Sequence, residues 1–223
     1  VSSSCLVLDF DGTILDTEEP NYLAWAELWE ESGHELPVAE WQAHIGRLDT
    51  FDPAAELVHR TGREIDDSRH IERRRRRAEL QSLTGLRDGV AEWLSDASGM
   101  GIPVGVASSS PREWVEPHLD RLGLSSRFAC IVCSSADIPP KPAPDSYRRA
   151  CILMDAEPHL SVAVEDSPHG VQAAVSAGLF VLAVPHGLTS TLDFSAADVK
   201  LHGLSEMKLG DAVAIAVQRS GSL

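Results

Sequence analysis

Cys5-Leu6-Val7-Leu8-Asp9-Phe10-Asp11-Gly12-Thr13 is an apolar run that ends in two carboxylates two residues apart. In a strand, residues i and i+2 share a face, so the two acids would repel if the extended geometry continued past Asp9. Gly12 lets the chain turn at that point. One reading is a strand end followed by an Asp-Gly turn, which any α/β protein can contain. The other is a nucleophile and a proton donor gathered around a divalent cation. Residues 9–13 alone leave the two readings level.

The rest of the chain supplies the context. Apolar, β-branched runs recur at 6–9, 103–107, 129–133, 162–165 and 180–184. Helical patterns separate the later ones, at 113–122, 145–154 and 170–177. Strand, helix, strand at this spacing predicts an α/β fold with a parallel sheet covered by helices on both faces. Residues 10–102 contain no convincing strand; they read as helices at 21–32, 38–44, 53–60, 67–83 and 89–100. The expectation is an inserted α-helical cap domain over 16–86, on a core made of 1–15 and 87–223, with hinges at 15–17 and 82–88. Trp25, Leu28, Trp29 and Trp41 are apolar enough to pack a core for that insert, so no oligomer is required. A cap facing the C-terminal strand ends would cover the place where parallel α/β sheets bind ligands.

Composition narrows the partners. The 223 residues carry a formal net charge of −15, which disfavours nucleic acid and anionic membrane. No apolar stretch is long enough to span a bilayer and no basic leader precedes the first apolar run, so a cytoplasmic location is expected. Cys130 and Cys133 have CxxC spacing but fall on opposite faces of one strand, which favours packing over redox chemistry or zinc. The run Arg73–Arg77 spreads around a helix, so one or two of the five at most can face a cleft. The run as a whole reads as a solvated face.

Polar residues stand at four strand ends: Asp9 and Asp11, then Ser108, then Lys141 beyond the third strand, then Glu165 and Asp166. Parallel strands bring these ends to one edge. Each has an ordinary explanation by itself: a helix cap for Ser108, an exposed lysine in a proline loop for Lys141, a helix N-terminal acidic pair for Glu165-Asp166. Four such coincidences at successive strand ends are much less probable than one shared site.

Asp9-x-Asp11-Gly12-Thr13, Ser108, Lys141-Pro142 and Glu165-Asp166-Ser167 resemble, in order, the four motifs of the haloacid dehalogenase-like hydrolases, in the branch with an α-helical cap. The resemblance covers nearly the whole chain. It implies a Rossmann-like core with strand order 5-4-1-2-3. It also implies that Asp9 is the nucleophile, that Asp11 handles protons, and that Ser108 and Lys141 hold the phosphoryl oxygens. Magnesium would be bound by the Asp9 carboxylate, the Asp11 carbonyl and Asp166, with Glu165 close by. Asp11 argues against dehalogenation, which needs no proton for its leaving group. The absence of any lysine before Lys141 closes the Schiff-base route of phosphonatases.

The expected function is hydrolysis of a small phosphate monoester through an aspartyl-phosphate. The alternative is a phosphomutase, because residues 16–25 resemble the matching segment of β-phosphoglucomutases. That family has a His where this chain has Asn21, and a cap Lys that this chain lacks. A non-catalytic phosphate-binding domain is the reading from another class. Gly46 and Arg47, in the cap loop 44–50, are expected to contact the substrate's distal part. Ser109 is expected to contact phosphate or to form the turn before Pro111. His169 reads as a surface residue near the site.

Overall fold

The computed structural model describes residues 3–43, 45 and 51–221. Gly46 and Arg47, the expected specificity residues, therefore lie outside the described residues. A six-stranded parallel sheet forms the centre: β1 (Leu6–Leu8), β2 (Val104–Ser108), β3 (Cys130–Cys133), β4 (Val162–Glu165), β5 (Phe180–Ala183) and β6 (Val199–Lys200). Their spatial order is 3-2-1-4-5-6, which is the expected five-strand arrangement extended by one edge strand. The two-residue β6 pairs with β5 through Leu182 and Ala183. It is too short to leave a periodic signal in the sequence.

Period-2 alternation divides the sheet residues between two cores. Leu6, Leu8, Val104, Val106, Val162, Val164, Phe180 and Leu182 face one cluster. That face is covered by α5 (Val90–Met100), α6 (Arg112–Arg121) and α9 (Leu209–Ser220). Cys5, Val7, Ala107, Ala163, Val181 and Ala183 face the other, beneath α7 (Asp145–Leu153) and α8 (Pro168–Ala177). Cys130 and Cys133 fall into opposite clusters, and burial pushes both thiols up to about 11. They are packing residues, as their spacing within a strand predicts.

Among the described residues, four helices lie between β1 and α5: α1 (Glu18–Glu31), α2 (Val38–Gln42), α3 (Pro53–Thr61) and α4 (Asp67–Ser82). Trp25, Leu28, Trp29, Leu36, Trp41, Ile45 and Leu57 form a third, separate cluster among them. Each buried large side chain of this kind stabilises by about 1.5–3 kcal/mol. Leu188, from the loop after β5, packs against this cluster, and Gln42 Nε2 donates to its carbonyl at 2.7 Å. The chain enters and leaves the insert side by side: Leu15 bridges Leu86, and Arg87 N–H donates to the Ile14 carbonyl at 3.0 Å.

Of the arginine run on α4, Arg74, Arg75 and Arg76 are exposed while Arg73 and Arg77 are half-buried. These two are four residues apart and share a face. Arg73 stacks on Trp25 at 4.3 Å, and Arg77 on Trp114 of α6 at 4.4 Å. The solvated-face reading therefore holds for three of the five residues.

Candidate active site

Hydrogen bonds carry the sheet right up to the polar residues. Asp9 N–H donates to the Val164 carbonyl at 3.0 Å, Ser134 N–H to Ser108 O at 3.1 Å, and Val184 N–H to Glu165 O at 2.7 Å. The strand ends therefore hold their side chains on one edge. There Asp9, Ser108, Lys141, Glu165 and Asp166 are all buried.

Lys141 is the hub. Its Nζ donates to Asp9 Oδ1 and to Glu165 Oε1, the latter at 2.5 Å. Burial would lower the lysine, but the Asp9 and Glu165 carboxylates beside it raise it, so it stays a cation. Its backbone N–H donates to Ser109 Oγ at 3.1 Å. Ser109 thus holds the Lys141 loop in place.

Glu165 is saturated. Oε1 also accepts from Tyr147 Oη at 2.6 Å, while Oε2 accepts from Ser167 Oγ and from the backbone N–H groups of Asp166 and Ser167. Ser167 caps α8 as well, with Oγ accepting from Gly170 N–H at 3.1 Å. Glu165 is therefore a fixed charge that orients Lys141. Tyr147 lacks any motif; only its place on the inward face of α7 could have drawn attention to it.

Asp166 is the opposite case. Its Oδ2 is buried without a hydrogen-bond partner, and the acid is pushed well up by burial and by Asp9. Burial also pushes Asp9 up. Asp9, Glu165 and Asp166 place carboxylate oxygens within 4.8 Å of one another. Three acids gathered around one ammonium make a desolvated, oxygen-rich pocket, which a hard divalent cation with oxygen ligands suits. Gly12 makes the approach possible: its φ is +90°, and a Cβ there would lie 2.0 Å from Asp166 Oδ2.

Asp11 stands apart from this triad. Its Oδ1 accepts from Thr17 Oγ1 at 2.7 Å and from the Trp114 indole N–H at 2.8 Å, and its Oδ2 from Ser110 Oγ at 2.6 Å. Ser108 Oγ lies 3.4 Å from Oδ2 and accepts from Ser110 N–H at 3.0 Å. A cavity of about 260 Å³ opens here, lined by Asp11, Glu18, Asn21, Arg77, Ser110 and Trp114.

The sequence reading passed over His186. Its Nδ1 lies 3.4 Å from Asp16 and its Nε2 3.7 Å from Asp166 Oδ2, so the loop after β5 meets both the start of the helical segment and the acidic pocket. Burial lowers its affinity for a proton. His169 is half-buried, with Nδ1 3.3 Å from the Ile45 carbonyl.

The sequence model of the haloacid dehalogenase-like hydrolases matches residues 4–178. The chain belongs to that family. Within the haloacid dehalogenase-like hydrolases, it is 36% identical over 205 residues to YhcW of Bacillus subtilis (strain 168), covering 92% of this chain and 93% of that one. It is 30% identical over 213 residues to the validoxylamine A 7'-phosphate phosphatase of Streptomyces hygroscopicus subsp. limoneus, covering 91% and 94%. Among solved structures it resembles CbbY from Rhodobacter sphaeroides in complex with phosphate: TM-score 0.71, 26% identity, covering 93% of this chain and 98% of that one. Membership makes the chain a hydrolase and agrees with the sheet order seen here.

Proposed function

We propose that this hydrolase is a magnesium-dependent phosphatase of small phosphorylated metabolites such as sugar phosphates, and that residues 16–86 form its cap. The observation that carries the reading is the division of labour between two aspartates two residues apart. Asp9 lies against Lys141 in the acidic pocket, whereas Asp11 is held by three donors at the mouth of the cavity.

Asp9 attacks phosphorus and forms an aspartyl-phosphate. Lys141 stays charged beside it and offsets the charge on the transferring oxygens, and Ser108 offers a hydroxyl to the same group. Asp11 gives a proton to the leaving oxygen and then takes one from the water that hydrolyses the intermediate. Asp166 and Asp9 would hold the cation, with Glu165 orienting Lys141 from behind. When bound, the cation screens the acids and lets an anionic nucleophile meet an anionic phosphate.

The test is phosphate release from a panel of sugar phosphates, nucleotides and phosphoglycolate, with and without magnesium. Asp9→Asn is expected to lose at least about a thousandfold in kcat while keeping its Tm. Turnover by that variant would remove Asp9 as nucleophile. Conversion of a sugar 1-phosphate to its 6-phosphate isomer, in place of phosphate release, would favour the mutase reading. Binding without turnover would favour a ligand-binding domain.

A further inference from the structure

Of the three strong donors to Asp11, two are hydroxyls that rotate, on Thr17 and Ser110. The third, the Trp114 indole N–H at 2.8 Å, has one direction fixed by the ring plane. That plane is clamped. The Arg77 guanidinium lies 4.4 Å from the ring centroid, and His118 packs at 4.3 Å with a tilt of 52°. Arg77 belongs to the helical insert, and its Nε is buried without a hydrogen-bond partner. It meets the sheet-bearing part of the chain at the Trp114 ring face and through the charge of Asp11, while Glu18 of the insert supplies a second neighbouring charge.

We propose that Trp114 is a positioning residue for Asp11, and that Arg77 on its face makes the aim of that carboxylate depend on the helical insert. The proposal rests on the reading of Asp11 as the proton-transfer group. Trp114 touches no reacting atom; it acts through the carboxylate it holds. The indole N–H has one direction, so it fixes the direction in which the Asp11 carboxylate points.

Two measurements test this, the first independent of turnover. Indole N–H resonances are followed by NMR, with Trp114 assigned by its loss in Trp114→Phe. The Trp114 signal is expected to exchange slowly, and to move and exchange about tenfold or more faster in Asp11→Ala, which removes its acceptor. In Arg77→Met, exchange is expected to quicken about tenfold or more as the clamp is lost. A Trp114 signal that exchanges like a free indole, or ignores Asp11, overturns the proposal whether or not the enzyme is a phosphatase.

The second compares leaving groups. p-Nitrophenyl phosphate needs little help from an acid, whereas an alkyl phosphate needs a proton. Trp114→Phe keeps a ring for Arg77 but removes the donor. It is expected to lose about tenfold or more in kcat on the alkyl ester and less than about twofold on the nitrophenyl ester. Equal losses on both esters would mean a packing defect and overturn the proposal. Arg77→Met is expected to show the same split in weaker form, and less than additively with Trp114→Phe. Additive losses would break the link to the insert. If Trp114→Phe fails to fold, the exchange and leaving-group results for Arg77→Met decide the question alone.

Discussion

Gly170 packs so closely on Glu165 that a Cβ at that position would lie 1.9 Å from the carboxylate carbon and from Oε1. The glycine lies in the first turn of α8, where alanine would ordinarily strengthen a helix by about 0.5–1 kcal/mol. Here the methyl must displace a fully buried charge that holds Lys141 in place. Gly170→Ala is expected to destabilise by about 1–3 kcal/mol in urea unfolding and to lower kcat. A variant more stable than the parent would show that Glu165 can yield without consequence.

Lys141 bridges two buried carboxylates with a single ammonium. Lys141→Met keeps much of the side-chain volume but leaves those charges facing each other. The expected loss is about 3–5 kcal/mol near neutral pH without added metal, the cost of breaking a buried ion pair. Chemical denaturation with unchanged m-value is the check. A loss under about 1 kcal/mol would mean that the carboxylates find other compensation.

A cation that binds the folded acidic pocket stabilises the native state by mass action. Magnesium at about 100 times its Kd is expected to add about 2.7 kcal/mol, read as a rise in Tm that EDTA reverses. Asp166→Asn removes the carboxylate with the unpartnered oxygen and is expected to abolish the rise. An equal rise in the variant would move the metal elsewhere.

Glu18, at the start of α1, is pushed up to about 7 by burial and by the neighbouring Asp11, with Arg77 pulling the other way. The folded state therefore holds this proton more tightly than the unfolded chain, whose glutamates ionise near pH 4.5. Stability from this source is whole below pH 4.5, is lost as pH rises toward 7, and is flat above. Glu18→Gln cannot ionise. Its stability relative to the parent is expected to rise between pH 4.5 and 7, measured by urea unfolding at several pH values. A constant difference would mean that Glu18 titrates as an ordinary glutamate.

How much of this was legible in the sequence depended on whether a residue's job lay in its neighbours along the chain. The first five strands and the four polar strand ends could be read because burial on both faces demands apolar runs, and a parallel sheet aligns their ends. Their convergence on one edge followed from that alignment, but the pairing of Lys141 with both Asp9 and Glu165 did not, because it is set by side-chain reach across the edge. Tyr147, Trp114 and His186 escaped because each acts from a helix face or loop across a tertiary contact, with no pattern of its own. Helix α9 was readable in principle, but Leu209, Ala212 and Ala216 bury mostly methyl groups and give a weak stripe. Arg77 was hidden within a run whose members look alike until the helix has a neighbour.

The bridge between Leu15 and Leu86 has a consequence for how the chain comes together. Because the excursion leaves and returns at one point, its two ends are held together there by backbone pairing, and its tryptophan cluster is separate from the two clusters that cover the sheet. The bridge works like a bayonet socket. The ends at Leu15 and Leu86 are close enough that a connector of a few glycines would span them, and so would another helical module with equally close ends.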